Sequence, residues 1–390
     1  MRKIGFFILS VLFVIVLSSC KKEEPFKKDD PVSVKNSWIH YSVKDGLLDS
    51  VVQTVVIDRT NNTWIGTRNG ISKFNGKTWK NYTKSNGLAS NLVLSIAIDA
   101  GDNKWIATTN GLSKFDNEGW TNYSVQNGLS SNFINSVNVD TENNIWACTD
   151  SGLCKFNGKI WKTYTTADGL ADNHVSVIAF DKAGNKWIGT HGGGISKFDG
   201  VNWTTYPRGN SGDWVIDLKI DKTGMVWVTS GGEFMNFDGS NWNVITHTIL
   251  NGTVHSMAIG NDNTIWVGTF GRIYQIDGTG WSCFTTKNLG LSSPIESIAI
   301  DQNGNKWIGT LNGVWEMKQL MQQILNGPMK KTPPESLLHV QFTTIPWVIL
   351  LLIVKRICRL KVSCVVLLKV GMTGMIRTWN LQMASSPELK

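Results

Sequence analysis

Tryptophan recurs along this 390-residue chain at a nearly constant interval, and few architectures accept that. Trp64, Trp105, Trp146, Trp187, Trp227, Trp266 and Trp307 are spaced 41, 41, 41, 40, 39 and 41 residues apart, each opening Trp-Ile-Gly-Thr or a near variant. A second series, Trp38, Trp79, Trp120, Trp161, Trp203, Trp242 and Trp281, runs in step with the first. Fourteen of the eighteen tryptophans therefore hold fixed places in seven units. Each unit reads as four short strands. In one of them residues 95–99 alternate, a polar turn leads to 105–108, Asn110-Gly111 turns the chain into 112–115, and another polar turn leads to 120–123. An Asn-Gly pair between alternating segments signals a tight hairpin. Four strands in about 40 residues make a propeller blade, not a helical solenoid.

The phase of the repeat says how the ring closes. The first element, at Trp38, is a fourth strand with no first three before it, and the last unit supplies three strands and lacks a fourth. Pairing the two ends removes both sheet edges. The expectation is an all-β fold: a seven-bladed β-propeller of four-stranded antiparallel blades over residues 37–318, closed by the N-terminal strand pairing with the last three.

Most recurring residues have structural readings. Asp58, Asp99, Asp140, Asp181, Asp221 and Asp301 stand six before the Trp, where a carboxylate accepts turn N–H groups. One acid per unit makes no calcium cluster. The indoles are expected between blades with their N–H reaching backbone. Gly66, Gly189, Gly268 and Gly309 are expected where a neighbouring sheet comes close.

The net charge of +8 invites a nucleic-acid reading, but its distribution removes it. Residues 31–318 carry 23 Lys/Arg against 24 Asp/Glu, and only four are Arg (Arg59, Arg68, Arg208, Arg272). Residues 319–390 hold nine against two. No nucleic-acid partner is expected.

Arg2 and Lys3 precede an apolar run to Leu17, followed by Leu17-Ser18-Ser19-Cys20. A basic start with a short apolar region is an export signal, too short to span a bilayer. The last four residues resemble a bacterial lipobox. That assigns 1–19 to a lipoprotein signal peptide and 20–36 to a lipidated Cys20 and tether, the lipid being the only membrane contact. An ordinary signal peptide with a coincident Cys is the alternative. Lys22-Glu23-Glu24 resembles the surface-export signal of Bacteroidetes lipoproteins, against a plain solvated tether. The protein is expected to be exported and held at the outer membrane, facing the cell surface or the periplasm.

The pattern W-I-G-T-x-x-G-[IL]-S-K-F-[DN]-G-x-x-W-x-x-Y-[ST]-x-x-[ND]-G-L is nearly complete in residues 64–88, 105–129 and 146–170. It resembles the two-component regulator propeller repeat. The resemblance implies the periplasmic sensor propeller of Bacteroidetes hybrid histidine kinases, associated with sensing polysaccharide fragments, here as a stand-alone lipoprotein. No kinase, receiver or DNA-binding segment follows the repeats in this sequence, and the expectation is a sensor-like, ligand-binding propeller.

In a propeller the loops from the fourth strand to the next first strand, and from the second to the third, share one face at the channel mouth. Departures from the repeat there mark a binding site. Residues 207–214 replace the usual N-G-L-x-x-N stretch and place Arg208, Asp213 and an extra Trp214 together, a set suited to stacking on a sugar face. His174, His191 before three glycines, Glu233, His255, Arg272 and Glu296 are further singular polar residues near that face. These nine are the candidate ligand-binding residues for a small molecule or oligosaccharide bound without turnover. No residue is assigned as catalytic. A propeller-fold polysaccharide lyase or hydrolase, using His174, His191 or His255 as a base, is the alternative, and a structural or adhesive surface protein the third. No H-x-H or H-E-x-x-H spacing, phosphate loop or dinucleotide fingerprint occurs, so neither metal nor cofactor is expected.

Cys148 and Cys154 fall in one hairpin. Either they face each other as a disulfide, or they are two buried thiols. After Lys318 the chain changes character: Asn and Asp nearly vanish, and the apolar run 345–354 is too short to cross a bilayer. Codons permitted by residues 363–378, read two bases later, can encode the repeat's own wording. The tail 319–390 is therefore expected to be an out-of-frame reading of further propeller, or disordered.

Overall fold

The computed structural model describes residues 37–318 apart from 207–213, 231, 246–249, 251, 279 and 286–292. Among these, 28 strands form seven four-stranded antiparallel sheets. Six blades are built from consecutive strands in residues 52–82, 93–123, 134–164, 175–206, 215–244 and 256–285, hereafter blades 1 to 6. Blade 7 joins β26 (Ile295–Ile300), β27 (Lys306–Thr310) and β28 (Gly313–Lys318) to β1 (Ser37–Tyr41). β1 runs antiparallel to β28 with Trp38 opposite Met317 and Tyr41 opposite Val314, so the ring closes as the repeat phase requires. The first strand of every blade touches the first strand of the next, including blade 7 against blade 1, and these strands surround the central channel.

The apolar core lies between blades. Trp64, Ile71 and Tyr82 of blade 1, with Leu88 from the loop that follows, pack on Val93, Ile96 and Ile106 of blade 2, and a similar cluster fills each of the other six junctions. The aromatic residues of the repeat stack on one another: Trp64 lies 5.8 Å from Tyr82 and 11° from parallel, and Phe74 lies 4.5 Å from Trp79. Such pairs each add about 1 kcal/mol beyond area burial.

In six of the seven second-strand tryptophans the indole N–H goes to the aspartate and not to backbone, which corrects the expectation; Trp266 has Gly260 in place of the acid. Trp64 Nε1 donates to Asp58 Oδ2 at 2.8 Å, and Trp105, Trp146, Trp187, Trp227 and Trp307 do the same with Asp99, Asp140, Asp181, Asp221 and Asp301. The other carboxylate oxygen accepts the turn N–H groups, as at Thr60 and Asn62. The buried indole has no water to satisfy it, so the acid that shapes the turn also anchors the ring.

The glycines of Trp-Ile-Gly-Thr are the close approaches expected. A Cβ on Gly66 would stand 2.5 Å from Val93 of the next blade, and one on Gly309 would stand 2.6 Å from Val52 across the seam. The N-G-L motif also acquires a reason. In Thr83 to Gly87 a capping box between Thr83 and Asn86 closes a short 3-10 turn, and Gly87 sits at φ 112° against Trp120 of the next blade.

Cys148 and Cys154 are free, buried thiols. Cys148 lies opposite Leu153 and Cys154 opposite Ala147, so the two side chains leave the hairpin on opposite faces. Cys148 packs toward blade 4 and Cys154 toward blade 2. The pairing fails because a one-residue offset in an antiparallel ladder inverts the face.

The signal segment, Cys20 with its tether, and the tail after Lys318 lie outside the described residues. No helix among the described residues is long and apolar enough to cross a membrane.

Candidate functional site

Alignment of the blades on their second-strand Trp shows what the channel mouth offers. Phe133, His174 and Trp214 share one position, 13 residues before that Trp, in blades 3, 4 and 5. Arg68, Asp150, His191 and Phe270 share another, four residues after it. The two positions meet because the first strand begins where the second ends: His191 N donates to His174 O at 3.0 Å, and Arg68 N to Val51 O at 3.3 Å.

Blades 3 to 5 form a continuous set of contacts at this mouth. Asn135 Nδ2 donates to Asp150 Oδ1 at 2.9 Å and to Val175 O at 2.9 Å, tying blade 3 to blade 4. His174 Nε2 lies 2.9 Å from Asp150 Oδ1. The carboxylate offers no proton, so the His174 hydrogen sits on Nε2. The ring centroids of His174 and His191 are 3.6 Å apart, and that of His191 is 4.3 Å from Trp214. Trp214 is 56% exposed. The loop carrying His191 is one residue longer than its counterparts, Thr190 bonding to Gly194 where Thr67 bonds to Gly70. A Cβ on Gly193 would stand 2.5 Å from the Ala171 backbone, so the longer loop needs glycine to fit under its neighbour.

Burial, and then repulsion from His174, lowers the pKa of His191 to about 4, against the pull of Asp150 and Asp172. At neutral pH its imidazole is uncharged and offers one donor and one acceptor. Phe133 and Phe270 are 39% and 60% exposed; with Trp214 they are the large aromatic side chains most open to solvent among the described residues, and all three are at this mouth.

Of the nine candidates read from sequence, His174, His191 and Trp214 come together. Glu233 and Arg272 open the third strands of blades 5 and 6 on the same face, while His255 and Glu296 share one repeat position near the start of the innermost strands of blades 6 and 7. Among the described residues, the hydrogen bonds and ring contacts that tie the cluster do not extend to His255, Arg272 or Glu296. Arg208 and Asp213 lie outside the described residues. Sequence reasoning missed Asp150, Phe133 and Phe270. Their signal was positional: Phe133 occupies the slot of His174 and Trp214, and Asp150 and Phe270 that of His191. No group of three His, Cys, Asp or Glu among the described residues is arranged to hold a metal ion.

No family model matches the sequence, and no curated protein does. Solved structures do match. The extracellular domain of the putative hybrid two component system BT3049 from B. thetaiotaomicron superposes with a TM-score of 0.65 at 19% identity, over 73% of this chain and 42% of that one. The chain shares the fold of that extracellular domain. It spans less than half the length of this structure and of the similar extracellular domain of BT4673, of which it covers 43%. Virginiamycin B lyase from Staphylococcus aureus, solved with quinupristin, matches with a TM-score of 0.62 at 12% identity, over 73% of this chain and 99% of the lyase. PorZ, a surface component of the type-IX secretion system of Porphyromonas gingivalis, matches at 0.59 and 17% identity, over 70% of this chain and 47% of PorZ. The same fold thus occurs in extracellular domains of putative two-component systems and in a lyase, and at these identities the likeness is one of fold.

Proposed function

We propose that the protein is an exported, lipid-anchored propeller that binds a glycan fragment at the channel mouth without turning it over. The observation that carries this is the run of half-exposed rings from three adjacent blades: Phe133, His174 and Trp214 in one repeat position, with His191 packed between the last two. Flat apolar faces beside neutral hydrogen-bonding groups match the alternation of C–H faces and hydroxyls on a sugar. The extracellular sensor domains of like fold support the same reading and an extracytoplasmic place.

A glycan array probed with the protein, followed by calorimetric titration of any hit, tests it. Trp214→Ala and His191→Ala should each weaken binding at least tenfold, and full affinity in Trp214→Ala refutes the site. The Asp150–His174 pair favours a second reading, since a carboxylate-oriented imidazole is what a general base requires. Release of unsaturated product from a bound polysaccharide would decide for the lyase. Lipidation is tested separately: an alkyne fatty acid should label the wild type and not Cys20→Ala.

A further inference from the structure

The repeat supplies its own cations to four of its buried tryptophans, Trp64, Trp146, Trp187 and Trp266. Lys73 Nζ, from the third strand of blade 1, and Lys104 Nζ, from the second strand of blade 2, each lie 5.1 Å from the Trp64 ring centroid. Trp146 has Lys155 at 5.3 Å and Lys186 at 6.0 Å, and Trp266 has Lys306 at 4.6 Å. Lys104 is 1% exposed, bonds to Asp102 at 2.8 Å, and lies 3.6 Å from Asp58, the acid that holds the Trp64 indole. An ammonium over an indole and beside a carboxylate is a favourable buried arrangement.

At the seam both lysine positions are changed, as they also are around Trp227, where Asn236 and Ile265 stand, but only at the seam is an acid put in place of a lysine. Glu316 stands opposite Trp307, in the place that Lys73 takes opposite Trp64. Thr63 precedes its Trp in blade 1, where Lys104 does in blade 2. A cleft of about 310 Å³ opens where the lysines would lie, lined by Thr63, Trp307, Glu316 and Asp301 together with Tyr41 and Phe74. It opens beside the turns between first and second strands, on the face opposite the channel mouth. Asp301 accepts the Trp307 indole N–H as Asp58 accepts that of Trp64. Glu316 is 6% exposed and takes the Tyr41 hydroxyl at 3.0 Å; burial raises its carboxyl above the usual range, and Lys318 at 3.8 Å pulls the other way. The Lys318 side chain stays 39% exposed at the rim.

We propose that this cleft binds a small primary alkylammonium ion, seated against Trp307, Glu316 and Asp301 where other junctions, such as that of Trp64, seat a lysine. The cleft has room for an alkylammonium chain, and its walls carry two acids, Glu316 and Asp301, against the single amine of Lys318. The site is independent of the channel mouth and of the glycan reading.

The test is thermal unfolding and calorimetric titration of the full-length protein with n-butylammonium chloride, with n-butanol and sodium butyrate as neutral and anionic controls. Saturable binding of butylammonium alone is expected. Glu316→Gln keeps the shape and should weaken it at least tenfold. Glu316→Lys restores the repeat's own residue and should abolish binding with the fold retained, and Thr63→Lys should fill the cleft from the other side to the same effect. No saturable binding, an equal response to butanol, or undiminished binding in those variants that fold overturns the proposal.

Discussion

The Tyr41 hydroxyl donates a 3.0 Å hydrogen bond to Glu316 across 275 residues of sequence, on the seam that closes the ring. It lies beside five backbone pairs between β1 and β28. Removing residues through Tyr41 leaves the edge of β28 unpaired, a template for association between chains. Size-exclusion chromatography with light scattering should show oligomers or aggregate for that truncation. Tyr41→Phe keeps the strand and loses one bond, so urea unfolding should show a loss of about 1 kcal/mol.

Stability should fall with acid through five of the Trp–Asp anchors, those of Asp58, Asp99, Asp140, Asp181 and Asp221. At Asp58 burial raises the pKa, and hydrogen bonds from Asn62, Trp64 and Thr60 more than offset it, holding the carboxyl at about 2. Asp99, Asp140, Asp181 and Asp221 are lowered too, burial again opposing and the bonds from their own turns and Trp prevailing. Folded values below the unfolded one mean that the contribution is complete above pH ~4 and is lost as pH falls toward 2. Asp58 is 2% exposed, so its share is about 2 kcal/mol. Asp58→Asn should cost about that much in urea unfolding at pH 7 and much less at pH 2.5; stability unchanged down to pH 2 would contradict the account.

Gly66→Ala should destabilise by about 1–3 kcal/mol, because the new methyl meets Val93 Cγ1 at 2.5 Å and Thr54 Cγ2 at 2.6 Å inside a packed junction. Val93→Ala opens space on one side. The double variant should therefore be more stable than the sum of the single losses predicts, and strict additivity in a double-mutant cycle would show that the contact is not the cause.

His191 should titrate near pH 4 when followed by NMR of its ring protons. Its folded value lies below the unfolded 6.5, so its contribution to stability is present above that pH and is lost as pH falls through about 4. Burial is the larger cause and His174 the next, so His174→Gln should raise the midpoint part of the way. A midpoint near 6.5 in the wild type would mean that the two rings do not pack as described.

Cys148 and Cys154 should both be alkylated only after unfolding, with or without prior reductant, as read by peptide mapping. Burial pushes the Cys148 thiol up to about 12, which removes the reactive thiolate at neutral pH. A peptide pair of reduced-minus-two mass would restore the disulfide.

The period of Trp64 to Trp307 was enough to obtain the blade count, the strand order and the closing partner of β1. Those follow from local pattern: every unit has the same strands to form and the same ring to bury, and a ring with an unpaired edge is unstable. The glycine contacts were readable for the same reason, since only a residue without Cβ suits a recurring close approach. The destination of the indole N–H was not, because Asp and backbone are equally near in sequence and only the fold of the turn selects the carboxylate. The cysteine pair was undecided for want of the ladder register. The mouth cluster was half visible: His174, His191 and Trp214 stand out as departures, but Asp150 looks like ordinary loop variation until it lies 2.9 Å from His174. The cleft at Trp307 was invisible, since Thr63 and Glu316 become neighbours only when the last blade meets the first. A repeat encodes what each unit does to its neighbour. A site built from the tips of side chains in different units exists only once closure of the ring has set their positions.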